Sequence, residues 1–191
     1  MSLIPEFKIG VWNNWILMLI FLLQPVFMIA IDKVLGNSGI MRKMGDWPTD
    51  RREQMGNLLY MVMELLLLVY SVFLPLKVGT AWFYAGIALY LIGWAMFIAV
   101  SVTASTTPFG QPFVSGIYRF SRHPGYFAQF IIFLGMALAA ASWIFLLCAG
   151  VQWLSLGAFV EAEERNCVNA FGEPYKAYLQ RTPRWIGIPR R

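Results

Sequence analysis

Apolar residues dominate this chain in long runs, and the polar residues are concentrated between those runs. Residues 11–31, 58–76 and 81–102 each form one nearly continuous apolar stretch. About 20 apolar residues in a helix cross the ~30 Å hydrocarbon core of a bilayer, so each stretch predicts one transmembrane helix. A fourth apolar region, residues 126–160, is too long for one crossing and just long enough for two short ones.

The fourth region is interrupted near its middle, where Ser142 precedes Trp143. Tryptophan is enriched at membrane–water interfaces, so this pair fits the tip of a tight helical hairpin. The pattern therefore predicts an all-α integral membrane protein with about five transmembrane helices, the last two forming a C-terminal hairpin. We expect a single membrane domain over residues 1–191, with three helices in 1–102 and the hairpin and tail in 103–191.

The basic residues favour five crossings over four. Loop 32–57 carries five Lys and Arg residues, loop 103–125 carries two and the tail 161–191 carries six, whereas Lys8 and Lys77 lie on the other side. Lys and Arg accumulate in cytoplasmic loops, which predicts an N-terminus outside and a cytoplasmic tail. We expect a multi-pass protein of a bacterial inner membrane or another internal membrane.

Composition narrows the possible partners. Charged residues make up 13% of the chain, about half the ~25% typical of soluble domains. The net charge of +5 resides in short loops and forms no stripe, which favours membrane lipids and not nucleic acid as partners. Cys148 lies in an apolar run, Cys167 lies in the tail, and the chain has one histidine, so the spacing predicts neither a disulfide nor a metal site.

Two polar segments flank the predicted hairpin, residues 106–127 and 161–187, and the hairpin returns them to the same membrane face. In the first, Pro124 suits the first turn of a helix, which places His123 at the N-cap beside Arg122. The free N–H groups and positive dipole end of that helix suit an anion such as a carboxylate or phosphate. Contact with lipid head groups or loop carbonyls is the alternative, and spacing alone favours it.

The second segment begins with Glu161, Glu163 and Glu164. Glu161 and Glu164 share one helix face, where a carboxylate could bind sugar hydroxyls or a cation. Glu161 and Arg165 are four residues apart and could simply pair along the helix, so a solvated face is the alternative.

Two further elements allow more than one interpretation. A short helix beginning near Pro174 places Tyr175 and Tyr178 on one face, either on the membrane surface or as a lid over a pocket. Glu64 lies inside the second apolar stretch, where an ionisable group is a functional candidate by default. An interhelical hydrogen bond from a protonated Glu64 is the alternative.

Taken together, "GIYRFSRHPGYF" and the later "EAEERN" and "FGEPYKAYLQRTPRWIG" resemble the isoprenylcysteine carboxyl methyltransferase and phospholipid methyltransferase superfamily. The shared pattern is G-x-Y-x-x-x-R-H-P-x-Y, a hairpin, a Glu-Glu pair, F-G-x-x-Y-x-x-Y and a P-R-aromatic ending, over residues 103–188. Two departures are Ala128, where many members have glycine, and "WIGIP", where a shorter W-I-P ending is common.

The resemblance implies S-adenosylmethionine as the cofactor, in a pocket between the last helices and the folded tail. The residues implied to line it are Tyr118, Arg122, His123, Pro124, Tyr126, Glu163, Glu164, Tyr175 and Tyr178, and the candidate catalytic residues are Glu64, Glu163 and Arg184. Arg122 and His123 would hold the methionyl carboxylate, and a glutamate of the 163–164 pair would hold ribose hydroxyls or the amino group.

The implied reaction is in-line methyl transfer at the cytoplasmic face to a lipidic or lipid-modified acceptor. The acceptor is either a carboxylate of the isoprenylcysteine type or a phospholipid amine. Alternatives are an NADPH-dependent membrane reductase of the sterol-reductase type and a non-enzymatic lipid-binding protein. Gly125 and "YKAYLQ" depart from the reductase pattern. The sequence leaves open the acceptor, the oligomeric state and the role of Glu64.

Overall fold

The computed structural model describes residues 8–36 and 51–189, whose regular secondary structure is helical. The α-helices within these residues are α1 (Trp15–Leu22), α2 (Gln24–Val34), α3 (Arg51–Val72), α4 (Ala81–Thr106), α5 (Pro124–Ala139), α6 (Trp143–Phe171) and α7 (Glu173–Arg181). A 3₁₀ helix, Gly116–Arg119, lies between α4 and α5. The predicted all-α fold class is confirmed.

Three of these helices, α3, α4 and α6, are long and apolar enough to cross a membrane. Helices α1 and α2 provide a fourth crossing if they form one broken span. Helix α5 is apolar but has only 16 residues, or ~24 Å at 1.5 Å per residue. The predicted number of five therefore depends on α5 crossing as a short helix. Of the basic residues behind the predicted orientation, Arg42, Lys43, Arg190 and Arg191 lie outside the described residues.

The first apolar stretch does not form the single helix predicted for residues 11–31. It begins as a helix at Trp15, and α1 and α2 meet at Leu23 with a bend of 42°. Pro25 is in the first turn of α2. Proline has no N–H group and its ring clashes with the carbonyl four residues earlier, so it breaks a continuous helix.

The start of α1 is tied to the end of α3. The side chain of Asn13 donates hydrogen bonds to the carbonyl oxygens of Val72 (2.7 Å) and Lys8 (2.6 Å). The backbone N–H of Asn14 donates to the carbonyl of Leu74 (2.9 Å). The second predicted span, residues 58–76, thus ends as a helix at Val72 and continues as extended chain.

Helices α4 and α5 pack against each other through glycines. A Cβ atom on Gly86 would lie 2.3 Å from the backbone nitrogen of Ala139, and one on Gly135 would lie 2.5 Å from that of Tyr90. A Cβ on Gly93 would meet Ile132 and the Ala128 carbonyl in the same way. Small residues let helix backbones approach closely, which is how transmembrane helices associate in lipid.

The predicted hairpin tip is confirmed. Helix α5 ends at Ala139 and α6 begins at Trp143, so three residues connect them. Ser142 is the N-cap of α6, and its hydroxyl accepts a hydrogen bond from the N–H of Phe145 (3.2 Å). This turn returns the chain to the end of the bundle at which α5 begins.

We expect Gly135→Ala to destabilise the protein by about 1–3 kcal/mol, because the added methyl group overpacks the α4–α5 contact. Gly150→Ala on α6 is the matched control, since a Cβ at Gly150 meets no atom within 4 Å. Thermal unfolding in detergent should show a lower midpoint for the first variant and an unchanged or slightly higher midpoint for the second. Equal midpoints would contradict this account of the interface.

Candidate functional site

The structure brings together the two polar segments that flank the hairpin. The backbone N–H of Arg122 donates to the carbonyl of Pro183, and that of Gly187 donates to the carbonyl of Phe120, both at 3.0 Å. The hydroxyl of Tyr178 donates to the carbonyl of Tyr118 at 2.7 Å. The tail after α7 therefore runs along the loop that precedes α5.

Helix α5 begins as the sequence predicts, with Pro124 in its first turn and His123 at the N-cap. The backbone N–H of His123 donates to the hydroxyl of Ser121 (3.1 Å). The His123 side chain is almost completely buried. Its imidazole faces the second polar segment and does not face solvent.

Glu164 on α6 is the centre of the site. Arg184 donates to both of its carboxylate oxygens, at 3.3 and 2.8 Å. Nε2 of His123 and Nη1 of Arg122 each lie 3.1 Å from Oε1 of Glu164. We call Arg122, His123, Glu163, Glu164 and Arg184 the Glu164 cluster. Arg122 and His123 do bind a carboxylate, and in this structure it is the protein's own.

Glu163 and Arg122 each retain one buried atom that makes no hydrogen bond of good geometry with the described residues. Oε2 of Glu163 is buried and lies 3.4 Å from Nδ1 of His123, an ionic contact without hydrogen-bond geometry. Nε of Arg122 is also buried without a hydrogen-bond partner among the described residues. The side chain of Glu163 is nevertheless 44% exposed. The cluster thus retains one buried acceptor and one buried donor without a hydrogen bond of good geometry, and other atoms of the Glu163 side chain are exposed.

Opposing effects set the pKa of His123. Burial alone would lower this pKa, because it disfavours the charged imidazolium. The adjacent carboxylates of Glu163 and Glu164 stabilise the charged form and outweigh burial, so the pKa of His123 is raised above its usual value. Arg184 is held charged in the same way, since Glu164 raises its pKa.

Aromatic side chains surround the cluster. The ring of Tyr126 stacks on His123 with centroids 6.0 Å apart, and Trp185 lies 6.2 Å from the same imidazole. Trp185 also packs on Trp153 of α6 at 4.2 Å. The faces of indole and phenol rings attract cations through the ring quadrupole, so these rings suit the charged imidazole beside them.

Tyr175 and Tyr178 pack together on the buried face of α7, with ring centroids 5.4 Å apart. Burial raises the pKa of Tyr118, Tyr175 and Tyr178, so their phenols stay neutral. The hydroxyl of Tyr178 holds the loop before α5, as described above. This contact supports the interpretation of α7 as a cover over the site.

Two acidic residues that the sequence singled out, Glu161 and Glu64, lie in surroundings other than those expected. The suggested pair of Glu161 and Arg165 is wrong, because Nη2 of Arg165 lies 2.6 Å from Oε1 of Glu53 on α3. Glu161 instead lies 3.8 Å from Nη1 of Arg184. Glu64 does not join the Glu164 cluster, and its described interaction is with Tyr60, one turn earlier on α3.

Sequence reasoning missed several polar residues near the site. Ser121 holds the N–H of His123, and Glu53 holds Arg165. Gln129 and Gln152 were also missed, although uncharged amides inside apolar stretches are a signal that could have found them. Among the described residues no group of three or more His, Cys, Asp or Glu side chains could hold a metal ion.

Glu164→Gln should destabilise the protein by about 3 kcal/mol, because it removes the carboxylate from the buried Arg122 and one of the two carboxylates beside the buried His123. Glu173→Gln is the matched control, since Glu173 is exposed and pairs with Lys176 on the same helix. Thermal unfolding of both variants would measure the difference. A Glu164 variant as stable as the control would show that the cluster does not hold the tail.

Stability should also depend on pH through His123, which is the sole histidine. Its pKa is higher in the folded state, so its contribution is fully present below about pH 6.5 and is lost as pH rises through the raised value. The midpoint temperature of unfolding should therefore fall as pH rises from about 6.5 to the raised pKa of His123. In His123→Gln this part of the pH dependence should disappear, and an identical profile in both proteins would contradict the assignment.

Residues 83–174 match the model of the phospholipid methyltransferase family. The matched range runs from the start of α4 to the first turn of α7 and includes Arg122, His123, Glu163 and Glu164. It ends before Tyr175, Tyr178 and Arg184. No curated protein matches the chain significantly. The family match confirms the resemblance drawn from the sequence.

Proposed function

We propose that this chain transfers a methyl group from S-adenosylmethionine to a lipidic acceptor, because residues 83–174, just under half of the chain, match the phospholipid methyltransferase family. It is a membrane methyltransferase of the phospholipid or isoprenylcysteine kind. The observation that supports the cofactor is the pair of unsatisfied buried atoms in the Glu164 cluster, Oε2 of Glu163 and Nε of Arg122.

The cofactor's amino-acid end fits these two atoms. Its ammonium group donates hydrogen bonds to a carboxylate oxygen. Its carboxylate accepts hydrogen bonds from a guanidinium group. We propose that Glu163 binds the ammonium group and Arg122 binds the carboxylate, while Glu164 fixes Arg122, His123 and Arg184 around them. This revises the expectation that both Arg122 and His123 contact the cofactor's carboxylate, because Nε2 of His123 already contacts the carboxylate of Glu164.

The aromatic residues have separate roles in this proposal. Tyr126 and Trp185 flank His123 and offer ring faces to the adenine and the sulfonium. Tyr118, Tyr175 and Tyr178 hold α7 and the tail over the site, and Pro124 fixes the start of α5. Arg184 is a positioning residue, since it binds Glu164 through two hydrogen bonds.

When bound, the cofactor supplies an electrophilic methyl group on its sulfonium. The protein's task is to align the acceptor with that group and to exclude water. The match to phospholipid methyltransferases favours an amine acceptor, which must lose a proton during the reaction. We assign that proton to the other oxygen of Glu163, Oε1, because Oε2 is buried beside His123 while the side chain as a whole is 44% exposed. We assign Glu64 no role in this step, because the interaction described for it is an electrostatic one with Tyr60 on its own helix.

The membrane orientation completes the proposal. We propose that the cluster lies on the cytoplasmic side, where a water-soluble cofactor is available, because the loops and tail around it carry most of the Lys and Arg residues. The acceptor reaches the same cluster from the bilayer.

We test this with calorimetric titrations of the detergent-purified protein. Wild type should bind S-adenosylmethionine and S-adenosylhomocysteine saturably and should not bind nicotinamide dinucleotides. Glu163→Gln should weaken cofactor binding at least about tenfold, because it removes one charged hydrogen bond. Arg122→Lys, which keeps the charge but removes Nε, should weaken it similarly.

Glu173→Gln provides the matched control for the glutamate variant, and its affinity should equal that of wild type. Binding of nicotinamide dinucleotides in place of the adenosyl compounds would refute the proposed methyltransferase and support a reductase. Unchanged affinity in both site variants would refute the residue assignment while leaving the cofactor itself in place.

A further inference from the structure

A small cleft lies between α3, α5 and α6, next to the Glu164 cluster, and its enclosed space of about 10 Å³ is the size of one oxygen-sized group. Its polar lining comes from Tyr60, Gln129 and Gln152, and its aromatic walls come from Tyr126, Phe130 and Trp153. None of these residues belongs to the Glu164 cluster. Polar groups inside a transmembrane bundle are costly and mark binding sites or pathways more often than they are accidental.

Gln152 is the residue in this cleft that lacks a partner. It is 3% exposed, and its Nε2 has no hydrogen-bond partner among the described residues. Gln129 differs, because it interacts with the hydroxyl of Tyr60. A buried amide donor without a partner is disfavoured, so a ligand atom that accepts a hydrogen bond from Nε2 gains more than it would elsewhere.

The surroundings of Gln152 favour an uncharged oxygen as that atom. Among the described residues that line the cleft, none carries a positive charge. A phosphate or carboxylate would therefore enter without a counter-ion, which is unfavourable in a bundle of low polarity. An ester carbonyl needs only a donor and apolar neighbours, and the cleft supplies both.

The cleft and the Glu164 cluster share a wall. Tyr126 lines the cleft, interacts electrostatically with Tyr60 and Glu163, and stacks on His123. Gln152 and Glu163 are eleven residues apart on α6, or ~16 Å along the helix axis. This distance accommodates a lipid head group between its ester carbonyl and a reacting atom near Glu163.

We propose that this cleft binds the ester carbonyl of a diacyl lipid acceptor, with Nε2 of Gln152 as the hydrogen-bond donor. The head group then extends past Tyr126 to Glu163, and the acyl chain lies against Phe130 and Trp153. This inference rests on the proposed function and adds to it the residue that distinguishes ester-linked from ether-linked acceptors.

The experiment compares two probes with equal chain lengths, diacyl phosphatidylethanolamine and its dialkyl ether analogue, which lacks the carbonyl. Their affinities for the detergent-solubilised protein are measured by calorimetry, with S-adenosylhomocysteine binding measured on the same samples. Wild type should bind the diester about tenfold more tightly, the size of one hydrogen bond. Gln152→Met keeps the length of the side chain and removes the donor. This variant should bind the diester and the ether equally, with the affinity that wild type has for the ether.

Gln180→Met is the matched control, because Gln180 is exposed on α7 and the chemical change is identical. It should keep the preference for the diester. Gln152→Leu serves as a second variant if Gln152→Met fails to fold. Equal binding of both probes by wild type, or a preference that survives in the Gln152 variants, would overturn the inference. Failure of wild type to bind S-adenosylhomocysteine would instead refute the proposed function, independently of the carbonyl preference.

Discussion

The arrangement of the site depends on one carboxylate, that of Glu164. It joins three separate parts of the chain: α6, which carries it, the residues just before α5 through Arg122 and His123, and the tail through Arg184. These contacts are mostly shielded from water. Charges interact more strongly in such an environment than at an exposed surface. The tail in turn positions Trp185 against His123 and Trp153. Without Glu164, the positive charges of Arg122, His123 and Arg184 would face one another, and the tail would keep its hydrogen bonds to the loop before α5 but lose those to Glu164.

Glu164 reaches this place because of the helices beneath it. The glycines of α4 and α5 let the two backbones approach closely, which fixes where α5 begins and thus where His123 lies. The three-residue turn after α5 then sends α6 back alongside it. In a lipid environment helix association gains little from the hydrophobic effect, so close backbone packing must supply much of this order.

The polar residues inside the bundle extend from the Glu164 cluster towards the membrane interior. Glu163 interacts with Tyr126, Tyr126 with Tyr60, and Tyr60 with both Gln129 and Glu64. Glu64 interacts with Tyr60 on its own helix, and its role stays a prediction. The series of interactions connects the place where the cofactor is proposed to bind with the cleft proposed for the acceptor.

The sequence by itself determined the features that depend on local chemistry. Apolar length predicted the membrane helices and the hairpin, Pro124 predicted the start of α5, and the hairpin predicted that the polar segments meet. The bend near Leu23 also had a local signal, Pro25, which the length of the apolar run concealed. Tertiary structure alone decided that Arg165 pairs with Glu53, that Arg122 and His123 bind Glu164, and that Gln152 lines a cleft. Spacing along a helix fixes the face on which a side chain lies, but the packing of other helices decides what that face meets.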